Sequence, residues 1–501
     1  MTLPDHKTKI VCTIGPASRS DTVLERLISG GMNVARLNFA HGSLEEHKET
    51  IRNIRAMAFK LNRYCQIMVD LPGPKIRIGK LRNEPLLLEK GNEVILTTKD
   101  IVGTADRIPV AYEQLPQSVV PGSLVVLNDG FIQLSVEKVS GNDVYCRTII
   151  GGSLLSRKGL HVPGAKIFAE AVSDSDIKLV DFALREGIDT FGVSFVETAN
   201  DIVKVRDFAR KKGKNIFVVA KIERLEAINN FDEILVAADA IMIARGDLGV
   251  QISLEDVPGV QKKLISKANL SGRPVITATQ MLMSMTENIR PTRAEVSDVA
   301  NAILDGTDCV MLSEESAMGK FPVEAVSMLA RIATATEAYR AHAYVGDVST
   351  DYDRDEDIHL VNLISRNVRH TVETLVPTAV IVPTVSGYTA RMISRFRLHV
   401  WIAAVSPEEA TCRALQFSYG VTPVHAPGHP EPWSLFARHW VRSVGLAQGW
   451  VVLTEGPSRN HPEAHPRLEI IDLRIDGIGE YESSPIAASV HNKEDFGERE
   501  L

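Results

Sequence analysis

A strand-then-helix rhythm recurs eight times before residue 346 and is broken once by a stretch of period-two alternation. Aliphatic runs at 9–14, 34–38 and 67–70 read as strands, with a long amphipathic helix at 44–62. Further runs at 190–194, 216–221, 240–244, 274–277 and 309–312 resume the series, each followed by a helical stretch. Eight βα units close a TIM barrel, whereas open doubly wound sheets more often stop at about five or six strands. Between 74 and 166 the helical period vanishes. There 131–136 alternates, Gly141 and Asn142 make a turn, and 144–149 alternates again, which reads as an inserted all-β domain. Beyond an acidic stretch at 347–357, runs at 378–383, 400–405, 421–425 and 450–453 alternate with helices, giving a separate α/β domain. The expected fold is thus α/β: a TIM (β/α)8 barrel with an inserted all-β lid domain and a C-terminal α/β domain. Its expected bounds are barrel 1–73 and 167–346, lid 74–166, linker 347–357, C-terminal domain 358–478 and a charged tail at 479–501.

Charge and composition narrow the partners. Lys and Arg total 56 against 63 Asp and Glu, so a nucleic acid or an anionic membrane surface would meet a mildly acidic chain. No run approaches the roughly 18 apolar residues of a membrane span, and the opening MTLPDHKTKIVC lacks the apolar core of a secretory signal, so a cytoplasmic location is expected. Cys12, Cys65, Cys146, Cys309 and Cys412 show no metal-binding spacing and are expected to be reduced core residues.

In a barrel of this kind the C-terminal strand ends and the loops after them carry the chemistry. Those positions hold Arg36 and Asn38, Asp70, the run Lys221-Ile222-Glu223, the run Ala244-Arg245-Gly246-Asp247, and Thr277 to Gln280. Taken singly, each has an ordinary explanation: a solvated rim pair, a turn, a helix cap. Together they set carboxylates, a lysine and an arginine on one face. Glu223 and Asp247 are hard oxygen ligands suited to Mg²⁺, which keeps positions open for water and substrate oxygens. Lys221 and Arg36 can neutralise a phosphoryl group, and phosphoryl transfer needs positioning and charge more than a nucleophilic side chain. The residues alone therefore point to Mg²⁺-assisted chemistry on a small anionic phosphate or carboxylate.

The segments TKIVCTIGPAS (8–18), GMNVARLNFAHG (31–42), SRKGLHVPG (156–164), KIE (221–223), ARGDLG (244–249), TATQMLMSM (277–285) and RPTRAEVSDVANAILDGTDCVMLS (290–313) resemble the pyruvate kinase family, in its order and over almost the whole chain. The resemblance implies phosphoryl transfer from phosphoenolpyruvate to ADP, giving pyruvate and ATP, with Mg²⁺ or Mn²⁺ as cofactor. It implies that Arg36 grips the phosphoryl group and that Lys221 stabilises it and the developing enolate. Glu223 and Asp247 would hold the metal, and the Gly246 and Asp247 amides would receive the substrate carboxylate. Thr279 would relay the proton to the enolate. Asn38, His41, Arg77 and Lys158 match the nucleotide side, and the loop of Thr384, Ser386, Gly387 and Thr389 matches a phosphorylated-effector loop. A homotetramer is the family expectation.

The chain departs from the family pattern in places that carry meaning. Of the oxygens that hold a monovalent cation in commoner members, Asn38 and Asp70 remain, while Ala40 and Leu71 replace a serine and a threonine and Lys75 replaces a glutamate. A tethered ammonium supplies the same single charge, so this resembles the family's K⁺-independent branch, with Lys75 as the K⁺ substitute. Glu314 stands where glycine is usual, and His161 where asparagine is. Two rival readings are a Mg²⁺-dependent barrel lyase or mutase acting on pyruvate or phosphoenolpyruvate, and a catalytically retired metabolite sensor. A coupled assay for ADP-dependent pyruvate formation separates the kinase from the lyase or mutase, and the intact set of Arg36, Lys221, Glu223, Asp247 and Thr279 argues against the sensor.

Overall fold

A computed structural model of the chain describes residues 3–165, 170–342, 360–428, 430, 432–456 and 465–474. The expected linker at 347–357 and tail at 479–501 lie outside the described residues. Eight parallel strands form a closed barrel: β1 (Lys9–Thr13), β2 (Met32–Asn38), β3 (Gln66–Asp70), β4 (Thr190–Val193), β5 (Phe217–Ile222), β6 (Ala240–Ala244), β7 (Val275–Ala278) and β8 (Cys309–Leu312). They follow one another in sequence order around the barrel. Every residue of β1, β3, β6 and β8 is buried, because a parallel strand in a barrel is covered by side chains within and helices without. Helix starts are written in the sequence. Ser43 with Glu46, Ser173 with Asp176 and Thr292 with Glu295 each form a reciprocal capping box.

The chain divides into two compact units. One holds Val69–Leu264 with Asn38–His41, and so contains β4 to β6 and the all-β insertion. The insertion is a six-stranded sheet in the order 160–161, 124–127, 132–140, 143–150, 93–97, 107–109, with a two-stranded ladder of 86–88 and 152–154. Its interior is aliphatic, from Val94 and Leu96 across to Leu134 and Val144.

The other unit holds Met1–Leu37, Gly42–Met68 and Ile265–Leu501. Its C-terminal sheet adds β9 (Ala379–Pro383), β10 (Trp401–Ser406), β11 (Val421–His425), β12 (Trp450–Glu455) and β13 (Arg467–Asp472), in the order β11-β10-β9-β12-β13. The last strand runs antiparallel to β12. Within this unit the N-terminal ends of β1 and β8 are tied to the C-terminal domain by buried polar groups. Arg397 grips both oxygens of Asp308 at 2.8 and 2.7 Å, Tyr419 N–H donates to Asp308 at 2.9 Å, and Cys309 lies against the Phe417 carbonyl. The five cysteines are free thiols, four of them buried, as expected of small core residues.

Lys9 makes this junction sensitive to alkaline pH. Its ammonium is buried, donates to the Val421 carbonyl at 2.7 Å and lies 5.5 Å from the Trp401 ring. Burial lowers its pKa from 10.5 to about 8, against the opposing pull of Cys309, Glu337 and Asp308. Between those two values the unfolded chain holds more protons than the folded one, so this group's contribution to stability rises with pH. Relative to Lys9→Met, the wild type should therefore gain about 2–3 kcal/mol on going from pH 7.5 to pH 10.5. Thermal or denaturant unfolding of both proteins across that range tests it, and parallel pH profiles would show that Lys9 does not titrate there.

Candidate active site

Within the first unit a lysine is threaded among acids at the strand ends. Lys221, one residue from the end of β5, is buried and donates to Asp70 Oδ2 at 3.2 Å and Ser194 Oγ at 2.7 Å, with Glu223 Oε1 at 2.9 Å. These acceptors match the three donors of an ammonium. Ser194 in turn donates to the Leu71 carbonyl at 2.7 Å, which fixes its hydroxyl toward the lysine as an acceptor. The backbone makes room for this cluster. A Cβ on Gly192 in β4 would lie 2.4 Å from Asp70 Oδ1, so no other residue leaves that carboxylate in place.

The second oxygen of Glu223 accepts from Phe195 N–H at 2.6 Å. Phe195 has φ +55°, a left-handed conformation that a bulky residue adopts only when its surroundings impose it. Burial raises the Glu223 pKa, Lys221 offsets part of that rise, and the charge of Asp247 adds to it. Asp247 sits in the first turn of the short helix Arg245–Gln251 after β6. Its Oδ1 is 2.9 Å from Lys75 Nζ and 3.7 Å from His161 Nε2. Burial pushes this carboxyl up as well, but Lys75, His161 and Lys221 outweigh it and leave the pKa below the ordinary value.

Three carboxylates thus face two lysine ammonium groups, an excess of one negative charge. Glu223 and Asp247 carry lone pairs beyond those their partners use. Among the described residues no group of three or more His, Cys, Asp or Glu is gathered as a metal cage. A hard dication that takes two carboxylates and completes its shell with water and substrate oxygens fits this donor set.

The other predicted residues fall as follows. Asn38 Oδ1 accepts from Ala40 N–H at 3.2 Å and the Asn38 carbonyl accepts from His41 N–H at 3.3 Å, closing the turn after β2. Arg77 and Lys158 lie on adjacent segments of the lid: Arg77 pairs with Gly159 across an antiparallel bridge, and Ile78 N–H donates to the Lys158 carbonyl. The side chain of Lys75 donates to Asp247 Oδ1 at 2.9 Å. Ser194 and Phe195 were not foreseen as site residues. Ser194 directly follows β4 on the catalytic side, which is the only signal that would have raised it.

In the second unit, Arg36 is buried near the end of β2 and donates to Thr13 Oγ1 at 2.9 Å. Thr279 follows β7 at φ +67° with Gln280 at φ +54°, and its hydroxyl donates to the Ala278 carbonyl at 2.6 Å. Consecutive left-handed residues, one of them β-branched, are a costly conformation of the sort kept at functional sites. Glu315 is fully buried and accepts from Leu282 N–H and Ser313 N–H, joining the loops after β7 and β8. Glu314, where glycine is usual, opens the helix Glu314–Ala317 with its side chain exposed, so the extra bulk goes to solvent. In the C-terminal domain Thr384 Oγ1 accepts from Gly387 N–H and Ser386 Oγ from Tyr388 N–H, ahead of a helix whose second residue is Thr389.

Neutralising charge without supplying a nucleophile is what phosphoryl transfer asks of a protein, and a barrel carrying such a cluster defines a metal-assisted phosphotransferase. Residues 5–326 match the pyruvate kinase barrel domain, and residues 362–464 match the pyruvate kinase alpha/beta domain. The chain is 49% identical over 424 residues to a pyruvate kinase of Thermococcus litoralis, covering 84% of this chain and 89% of that one. It is 44% identical over 421 residues to a pyruvate kinase of Staphylococcus epidermidis, covering 84% and 72%. The crystal structure of a pyruvate kinase from Cryptosporidium parvum superposes with a TM-score of 0.83 at 34% identity, covering 94% of this chain and 96% of that chain. The chain belongs to the pyruvate kinase family, and its activity is that of a phosphotransferase. No described helix is long and apolar enough to cross a membrane.

Proposed function

We propose that the chain passes the phosphoryl group of phosphoenolpyruvate to ADP without a monovalent cation, Lys75 standing in for it. The single observation that carries this reading is the Lys75 ammonium 2.9 Å from Asp247 Oδ1, a fixed positive charge beside a carboxylate of the cluster. Glu223 and Asp247 are the residues that would hold Mg²⁺ or Mn²⁺, which when bound supplies a Lewis acid for the substrate's oxygens.

Lys221 is pre-positioned by Asp70, Ser194 and Glu223, so its charge needs no reorganisation as the P–O bond to the enol oxygen breaks. Arg36 is assigned to grip the phosphoryl oxygens. Gly246 and Asp247, in a first helical turn, present backbone N–H groups to the substrate carboxylate. A β-phosphate oxygen of ADP attacks phosphorus, with Arg77 and Lys158 of the lid and Asn38 and His41 on the nucleotide side. The enolate left behind takes a proton at carbon to give pyruvate. Thr279 serves that step as a relay through water, since a hydroxyl is too weak an acid to act alone. Homotetrameric assembly, a cytoplasmic location and a phosphorylated effector at Thr384 to Thr389 complete the reading.

The test is a coupled pyruvate assay in tetramethylammonium buffer at fixed Mg²⁺, with and without KCl. The rate is expected to change by less than about twofold on adding KCl, because the ammonium already supplies the charge. A many-fold rise would remove Lys75 from this role while leaving the reaction intact.

A further inference from the structure

The barrel's opposite end carries a cationic pocket. A pocket there is lined by Arg273, Arg391, Arg395 and Arg397 with a single acid, Asp308, and that acid is already held bidentately by Arg397. By formal count the lining carries an excess of three positive charges. The pocket begins where β7 and β8 begin, at Pro274 and Asp308. Thr279 is therefore a full four-residue strand away, about 13 Å, and the pocket is separate from the chemistry.

Two polar atoms lining it point to a missing partner. Ser418 is 1% exposed and its Oγ has no hydrogen-bond partner among the described residues, and Arg395 Nε is likewise buried without one among them. Burying a donor unmet costs about 1–3 kcal/mol, so such atoms are rare unless a ligand or water completes them. A neighbouring nitrogen of Arg395 is anchored: Nη1 donates to the Leu270 carbonyl at 3.0 Å across the junction. Arg391 donates to the Ser386 carbonyl at 3.2 Å and so reaches from the pocket to the loop of Thr384 to Thr389. Gly272 brings the two walls together, since a Cβ there would lie 2.6 Å from Met392 Sδ.

We propose that this pocket binds the phosphate group of a small anion, either inorganic phosphate or a sugar phosphate. Guanidinium forks match the oxygens of a phosphate dianion, and Ser418 supplies a neutral donor. No aromatic ring lines the pocket, so a nucleotide base finds nothing to stack on. Because its walls come from the turn before β7 and from the helix Tyr388–Ser394, a bound phosphate links the barrel to the C-terminal domain within one unit.

Isothermal titration and thermal unfolding of the full chain test this, with inorganic phosphate and glucose 6-phosphate as probes and NaCl at matched ionic strength as control. Both probes are expected to raise the thermal midpoint with their concentration. Arg395→Gln should weaken binding by about tenfold or more, the worth of a charge-assisted hydrogen bond. Ser418→Ala should weaken it by about three- to tenfold while raising the unliganded midpoint, because a buried hydroxyl that meets no described partner is a cost to the free protein. Ser386→Ala and Lys221→Met should keep wild-type binding, which separates this pocket from the effector loop and the catalytic cluster. Tighter binding of the sugar phosphate makes the ester the ligand, and equal binding makes it the phosphate alone. Wild-type binding in both Arg395→Gln and Ser418→Ala, or a midpoint shift no larger than that given by NaCl, would overturn the assignment. Should Arg395→Gln fail to fold, Ser418→Ala decides alone.

Discussion

Replacing Lys221 by methionine is expected to lower kcat by about 10³- to 10⁵-fold, the range that removal of one fixed cation costs phosphoryl transfer. Methionine keeps much of the stem's volume, so the loss is one of charge. The ammonium lies within 3.2 Å of Asp70, Ser194 and Glu223 and is held before substrate arrives. The substitution also has a structural signature. It leaves Asp70 and Glu223 buried without the cation between them, and breaking a buried pair costs about 3–5 kcal/mol unless a carboxylate takes up a proton. Glu223 is the group to do so, since burial already raises its pKa and Lys221 is what offsets the rise. A carboxyl protonated in the fold above its unfolded pKa gives stability that is full below the unfolded value and is lost as pH climbs through the folded one. The variant's deficit in thermal midpoint should therefore be smaller at pH 5.5 than at pH 8. Steady-state rates and unfolding at both pH values check the two halves together. A variant with near-normal turnover would take Lys221 out of the chemistry.

The barrel could be read from the chain because its strands are buried on both faces and so appear as unbroken apolar runs, as in Lys9–Thr13 and Ala240–Ala244. Capping residues made helix starts legible, Ser173 with Asp176 among them. Strands of three residues, such as Leu86–Leu88 and Gly152–Leu154, are too short to show a period. Arg467–Asp472 was missed because it is a half-exposed edge strand with weak alternation. At the site, residue types were legible and partners were not. Lys75 and Asp247 are 172 positions apart, and only the fold makes them a pair. The left-handed backbone at Phe195 and Thr279 left no trace in composition, since neither position is glycine.

Glu223→Gln is expected to separate catalysis from stability in the same cluster. The rate should fall by about 10²- to 10³-fold, as for loss of one preorganised electrostatic contact, because a neutral amide gives up the charge on one of the two oxygen ligands assigned to the metal. The Mg²⁺ concentration for half-maximal rate should rise by about tenfold or more. Stability should stay within about 2 kcal/mol of wild type, for two opposed reasons. The amide has a single acceptor oxygen where the carboxylate served both Phe195 N–H and Lys221, so one buried donor loses its partner. Against that, the substitution removes a buried negative charge that burial and Asp247 both disfavour, and it leaves Lys221 paired with Asp70. Lys221→Met uncovers charge where Glu223→Gln removes it, so the two variants should diverge in unfolding while both lose activity. Equal destabilisation of the two would mean that Glu223 is a packing residue and that the metal is held elsewhere. A normal Mg²⁺ dependence in Glu223→Gln would say the same of its place in the metal site.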